Sequence, residues 1–148
     1  RELKAPRRQT GARLVVTPGN HDAMLGEVWD GPTESEHWVG DWVVCHGHEE
    51  PTADADGYIV GHDHPAIDIE GQRRPCYLTG DGVYGDSDLL MLPAFTRLAG
   101  GVEVNAMYAR HFDSPLVETT RPLRPVVRDP DADETLTFPP LDEFRRLL

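Results

Sequence analysis

Cysteine, lysine and long apolar runs are all scarce in this chain. Two cysteines, Cys45 and Cys76, are too few for a disulfide framework and point to a reducing compartment, hence to a cytoplasmic protein. No apolar run approaches the roughly 18 residues that cross a bilayer, so a helical membrane span is excluded. The chain opens on Arg1 in a polar segment that does not resemble a secretory leader, and without an initiator Met its natural start is expected upstream. Lysine occurs once, at Lys4, against 13 arginines, and from Leu14 to Gln72 there is neither Lys nor Arg. That stretch holds 13 of the 26 acidic residues, so the net charge of −12 resides in one segment while the remainder is nearly neutral. Such a surface attracts cations and repels nucleic-acid backbones, and phosphate chemistry on it calls for a metal. A proteome-wide acidic bias accounts for the same composition and is compatible with a metal site.

What is present suits one domain, or part of a larger one: 148 residues, 39% hydrophobic and 27% charged. Gln9-Thr10-Gly11 reads as the end of a helix with Gly as its stop. The β-branched run Arg13–Thr17 reads as a strand halted by Pro18-Gly19, which puts Asn20-His21-Asp22 in a loop at its carboxyl end. Asp41–His46 and Gly57–Gly61 read as two further strands, each followed by histidines. Residues 66–79 resemble a hairpin turning at Glu70-Gly71-Gln72, with Pro75 marking an edge. Leu89–Leu92 and Gly101–Asn105 are additional strand candidates. Beyond Arg110 the scattered prolines read as a loosely structured acidic tail over 111–148. It ends in about two helical turns with Leu141, Phe144, Leu147 and Leu148 on one face.

Five of the seven histidines fall in three clusters: Gly19-Asn20-His21-Asp22, His46-Gly47-His48 and Gly61-His62-Asp63-His64. On an extended backbone i and i+2 share a side, so His62 and His64 aim together, Asp63 points away, and His46 pairs with His48 in the same manner. Imidazole suits borderline divalent ions, and an Asn carbonyl can complete a mixed oxygen and nitrogen shell.

The order VVTPGNHDAML, WVVCHGHEEP, YIVGHDHPAI resembles the second half of the calcineurin-like metallophosphoesterase superfamily over about Val15 to Ile67. RRPCYL and LLMLPAFTRLAGGVEVN look like the SbcD-related phosphoesterases, including the branch associated with DNA ligase. The resemblance implies an α/β fold, a mixed-sheet sandwich flanked by helices with metal-binding loops at strand ends. It implies two divalent ions per complete site, Mn first with Zn or Fe as alternatives, and hydrolysis of a phosphomonoester or phosphodiester by metal-bound hydroxide. Nucleic acid is a partner only through the sub-family match. Carried over residue by residue, Asn20, His46 and His62 would ligate the second metal and His64 the first. His21 would give a proton to the leaving oxygen, with Asp22 holding its ring. His48 is open between a substrate contact, support for a ligand, and a replacement ligand.

Complete members of that superfamily also carry an Asp-x-His motif and then a Gly-Asp motif ahead of GNHD, and neither occurs in residues 1–18. Gly80-Asp81 and Gly85-Asp86 come in the wrong order and read as loop. Residues 1–110 are therefore expected to be the carboxyl-terminal portion of such a domain, lacking its amino-terminal part. Two other readings stay open: a phosphoesterase-like scaffold that binds without catalysis, and a structural zinc held by His46, His48, His62 and His64. Cys45 is expected to pack in the core, pointing opposite to His46. Trp29, Trp38 and Trp42 are expected to be packing residues, and Arg73 and Arg74 a solvated hairpin tip.

Overall fold

The computed structural model describes residues 11–96 and 99–146. Its elements, in chain order, are α1 (Leu25–Val28), β1 (Glu36–Val39), β2 (Trp42–Cys45), β3 (Gly57–Val60), β4 (Pro65–Ile69) and β5 (Gln72–Pro75). They continue with β6 (Tyr77–Tyr84), β7 (Ser87–Met91), β8 (Val102–Glu103), a 3-10 turn (Ala109–His111), β9 (Arg124–Asp129), β10 (Glu134–Thr137) and α2 (Leu141–Phe144). The strands form a seven-stranded sheet in the order β1-β2-β3-β7-β6-β9-β10 and a three-stranded sheet in the order β5-β4-β8. The fold is thus mixed α/β with two sheets, and the helices among the described residues are single turns. No helix among them is long and apolar enough to cross a membrane.

The apolar runs dictate the centre of the large sheet. β2, β3 and β7 lie parallel, with Val43 opposite Tyr58 and Tyr58 opposite Leu89. In β2 the residues alternate, Val43 and Cys45 facing the core while Trp42 and Val44 are half-buried. β6 then turns back antiparallel to β7 through Gly85-Asp86, so Gly80-Asp81 is strand and not loop. The β4–β5 hairpin turns at Glu70 and Gly71, both at positive φ (53° and 78°), the geometry that matches strand twist across a two-residue loop. Pro75 sits on β5, the edge of the small sheet. Ile67 from that sheet joins Val43, Val60, Leu78, Leu89 and Met91 in one core.

Further expectations are corrected. Arg13–Thr17 forms no strand; Val16 makes one isolated bridge to Thr33, and a β-branched run needs a partner edge to become a strand. The stretch after Arg110 is not loose, because Leu116, Val117, Leu123, Val127, Leu141 and Phe144 are buried in the common core and β9 pairs with β6. Pro125 is accommodated at the start of β9, ahead of the residues that pair with β10. Of the tryptophans, Trp29 is buried but Trp38 is 51% exposed on the edge strand β1. Arg74 is more than a hairpin tip: it pairs with Asp129 at the end of β9. In the closing helix Leu141 and Phe144 are buried as expected. Gln9-Thr10, Arg97-Leu98 and Leu147-Leu148 lie outside the described residues.

Candidate functional site

Parallel β2 and β3 place their carboxyl ends side by side, the customary place for ligands in sheets of this kind. His46 follows β2 and His62 follows β3. Gly61 N–H donates to the His46 carbonyl at 3.1 Å, which holds the two loops in register. His62 Nδ1 and His46 Nε2 consequently lie 3.1 Å apart, with the rings nearly perpendicular. Burial, then the neighbouring His62, His48 and His64, hold the His46 imidazole below its ordinary pKa against the pull of Asp22. This favours the neutral imidazole, the form that binds a metal.

The GNHD loop closes over this pair. Asp22 N–H donates to the Gly19 carbonyl, and the Asp22 carboxylate accepts the Gly19 N–H at 2.7 Å, so Asp22 fixes the turn that carries His21 and its hydrogen bond is not to the His21 ring. Gly19 lies flat against His46: a Cβ there would meet the ring at 2.6 Å. A cleft of about 580 Å³ opens between these loops, lined by His21, Asp22, His46, His62, His64 and Asp113, among others. Asn20 is exposed and does not line it, so the structure does not bring this expected ligand to the histidines.

Neither loop is extended, yet each histidine pair faces one way: the His46 and His48 ring centroids lie 5.2 Å apart, and His62 and His64 line the same cleft. Past Gly47, at φ 94°, His48 lines a smaller cavity of about 130 Å³ together with His46, Glu36, Glu49 and Glu50, its ring centroid 6.1 Å from that of His62. His48 lies 3.4 Å from Glu49. His64 adopts φ 51°, and its carbonyl accepts from Val102 N–H. Gly101 makes this approach possible, since a Cβ there would lie 2.5 Å from the His64 oxygen. His64 nonetheless reaches the cleft, and its Nδ1 is buried without a hydrogen-bond partner.

Asp63 does turn away from the rings as expected, and it has a task. It is 6% exposed and accepts from Asp113 N–H (2.7 Å) and Ser114 N–H (3.1 Å), tying a distant loop to the GHDH turn. Its carboxyl is pushed up by burial, and the two amides offset part of that rise. Asp113, Gly101 and Val102 were invisible as cleft residues in the sequence, because only tertiary folding brings them to the histidines.

The donor chemistry fits a divalent ion at one edge. Two ligands bound at about 2.1 Å and at right angles lie about 3.0 Å apart, close to the spacing of the two ring nitrogens. Among the described residues no three His, Cys, Asp or Glu side chains converge on one position. A two-histidine edge is what these residues offer.

No family model matches the chain, and no curated protein matches it. A solved structure, the crystal structure of Pseudomonas putida nuclease MPE, superposes with a TM-score of 0.54 at 23% identity. The match covers 89% of this chain and 57% of that one, so the chain has the fold of part of that nuclease and spans little more than half its length.

Proposed function

We propose that the chain carries the histidine-rich half of the active site of a metal-dependent phosphoesterase of the calcineurin-like superfamily, acting on a phosphomonoester or phosphodiester. The observation that carries this reading is the 3.1 Å approach of His46 and His62 at adjacent parallel strand ends, opening on a cleft shared with His21 and His64. The likeness in fold to a nuclease supports a phosphoesterase-like reading, phosphodiester chemistry included.

His46 and His62 would hold the ion, and His64 lines the same cleft. When bound, such an ion polarises a phosphoryl oxygen and lowers the pKa of water. The chain's own residues do the rest. His21, exposed at the cleft wall, is placed to protonate the leaving oxygen, a step worth about a hundredfold to ten-thousandfold in rate. Asp22 fixes the His21 turn through Gly19, and Asp63 fixes the loop between His62 and His64.

The test is metal content per chain together with turnover of an activated phosphodiester in Mn-supplemented buffer. His62→Ala is expected to abolish metal uptake. His21→Ala is expected to keep the metal and lose turnover by the factor above. Metal uptake unaltered in His62→Ala, or turnover unaltered in His21→Ala, refutes the respective assignment. The absence of a third converging donor among the described residues favours a second reading, a non-catalytic binding module. It predicts weak single-ion occupancy and no hydrolysis.

A further inference from the structure

The cationic groups missing from the acidic segment gather at another cleft, of about 390 Å³, lined by Tyr108, Arg110, Arg121 and Arg145 together with Glu118 and Asp142. Arg145 is already committed. Its Nη1 donates to the Met107 carbonyl at 2.5 Å, its Nη2 to Asp142, and its guanidinium lies over the Tyr108 ring, 4.2 Å from the centroid. Both carboxylates are also engaged: Glu118 accepts from Gly85 N–H at 2.7 Å, and Asp142 accepts from the Thr120 hydroxyl at 2.9 Å.

Arg110 and Arg121 are less committed, although the Arg121 charge bears on Asp142. Among the described residues neither forms an ion pair with a carboxylate. Arg110 also lies over the Tyr108 ring, 4.9 Å from its centroid. Stacking on a ring narrows the rotamers of an exposed guanidinium, so less entropy remains to be lost when its fork closes on an anion. A guanidinium fork matches phosphate bidentately.

The position of this cleft gives it a use. Tyr108 N–H donates to His111 Nδ1 and His111 N–H to the Tyr108 carbonyl, closing the turn that presents Arg110. Asp113 and Ser114 then bind Asp63 between His62 and His64. The three steps from Arg110 to Asp113 span at most about 11 Å, and Asp113 lines the histidine cleft.

We propose that Arg110 and Arg121 form a phosphate-binding subsite beside the histidine cleft, taking a phosphate of the ligand other than the one presented to the histidines. The link to substrate rests on the phosphoesterase reading; the anion site itself does not. The test is therefore binding, not turnover, on the 15N-labelled full chain kept metal-free with EDTA. Inorganic phosphate is expected to shift the Arg110 and Arg121 amides saturably. A double Arg110→Gln/Arg121→Gln variant should weaken that response about tenfold. Arg13→Gln, at an exposed arginine paired with Glu34, should leave it unaltered. A thymidine tetranucleotide that moves the same amides at lower concentration, with His62 and His64 joining, assigns the phosphate to a strand. A response confined to Arg110 and Arg121 assigns it to a single phosphate group; either upholds the subsite. No localised response, undiminished binding in the double variant, or equal weakening by Arg13→Gln overturns it. Hydrolysis elsewhere with these amides silent would remove only the subsite, and phosphate binding without hydrolysis would remove only the phosphoesterase reading.

Discussion

At the scale of single residues, the site depends on a side chain that is missing. Gly19 permits the GNHD loop to lie on His46, and an added Cβ would sit 2.6, 2.7 and 2.9 Å from three ring atoms. The ring cannot yield without leaving His62, so Gly19→Ala is expected to weaken divalent-metal uptake about 10- to 100-fold, as changes behind a ligand do. Isothermal titration with Mn, alongside a urea melt showing the fold intact, reads this directly, and an unaltered affinity would show that His46 is not held by this contact. The sequence revealed the histidines because their types and spacing carry chemistry. It did not reveal the loops that aim them. Gly47 and His64 take positive φ, a turn the alternation rule does not foresee, and His48 still lies beside His46 while His64 shares a cleft with His62. Asn20 shows the same limit from the other side: the right residue type in the right motif is still exposed outside the cleft.

At the scale of elements, strands with dense apolar patterning were legible, and β2, β3, β4 and β7 fall where their runs place them, while polar β5 follows from the turn at Glu70 and Gly71. The segment after Arg110 was not legible: Leu123, Pro125 and Val127 do alternate inward, but the alternation is short and the scattered prolines mimic a linker. Its order comes from partners: β9 pairs with β6, Leu141 N–H donates to the Leu123 carbonyl, and α2 is pinned through Asp142. Burial alone would raise the Asp142 carboxyl, but the hydrogen bonds from Thr120 and Arg145 and the charges of Arg145 and Arg121 outweigh it and hold the carboxyl below its ordinary 3.8. A carboxylate with a depressed pKa contributes stability above its unfolded pKa, and this is lost as the pH falls through its folded value. Asp142→Asn should therefore lower the urea stability at pH 6 by roughly 0.5–1 kcal/mol, given the partial exposure of the pair. The gap to wild type should close as the pH drops below 3.8. A gap that stays constant down to pH 2.5 would show that Asp142 acts by packing and not by charge.

At the scale of the whole molecule, charge and fold are arranged in opposition. The acidic segment Leu14–Gln72 supplies β1, β2 and β3, all the motif histidines and two of the three carboxylates that line their cleft, with no cationic side chain of its own. Arg110, Arg121 and Arg145 lie instead on the segment that folds back over β6. One cleft is thus lined for a cation and its neighbour for an anion. Like charges concentrated in this way repel one another in the compact state, and mobile ions screen the repulsion within about 8–10 Å at physiological salt. Raising NaCl from 10 to 300 mM should accordingly lift the melting temperature by about 3–6 °C, equivalent to roughly 1 kcal/mol for a domain of this size. KCl should act identically, because screening does not recognise the ion. At fixed ionic strength, micromolar Mn should add a further rise that grows with concentration, as for any ligand that binds only the folded state. That increment should vanish in His62→Ala while the NaCl response survives. If His62→Ala removed both, one effect would lie behind the two and the cation would be neutralising the segment at large. If Mn added nothing beyond NaCl in wild type, the paired histidines would hold no ion on their own, and the binding-module reading would stand in place of the hydrolytic one.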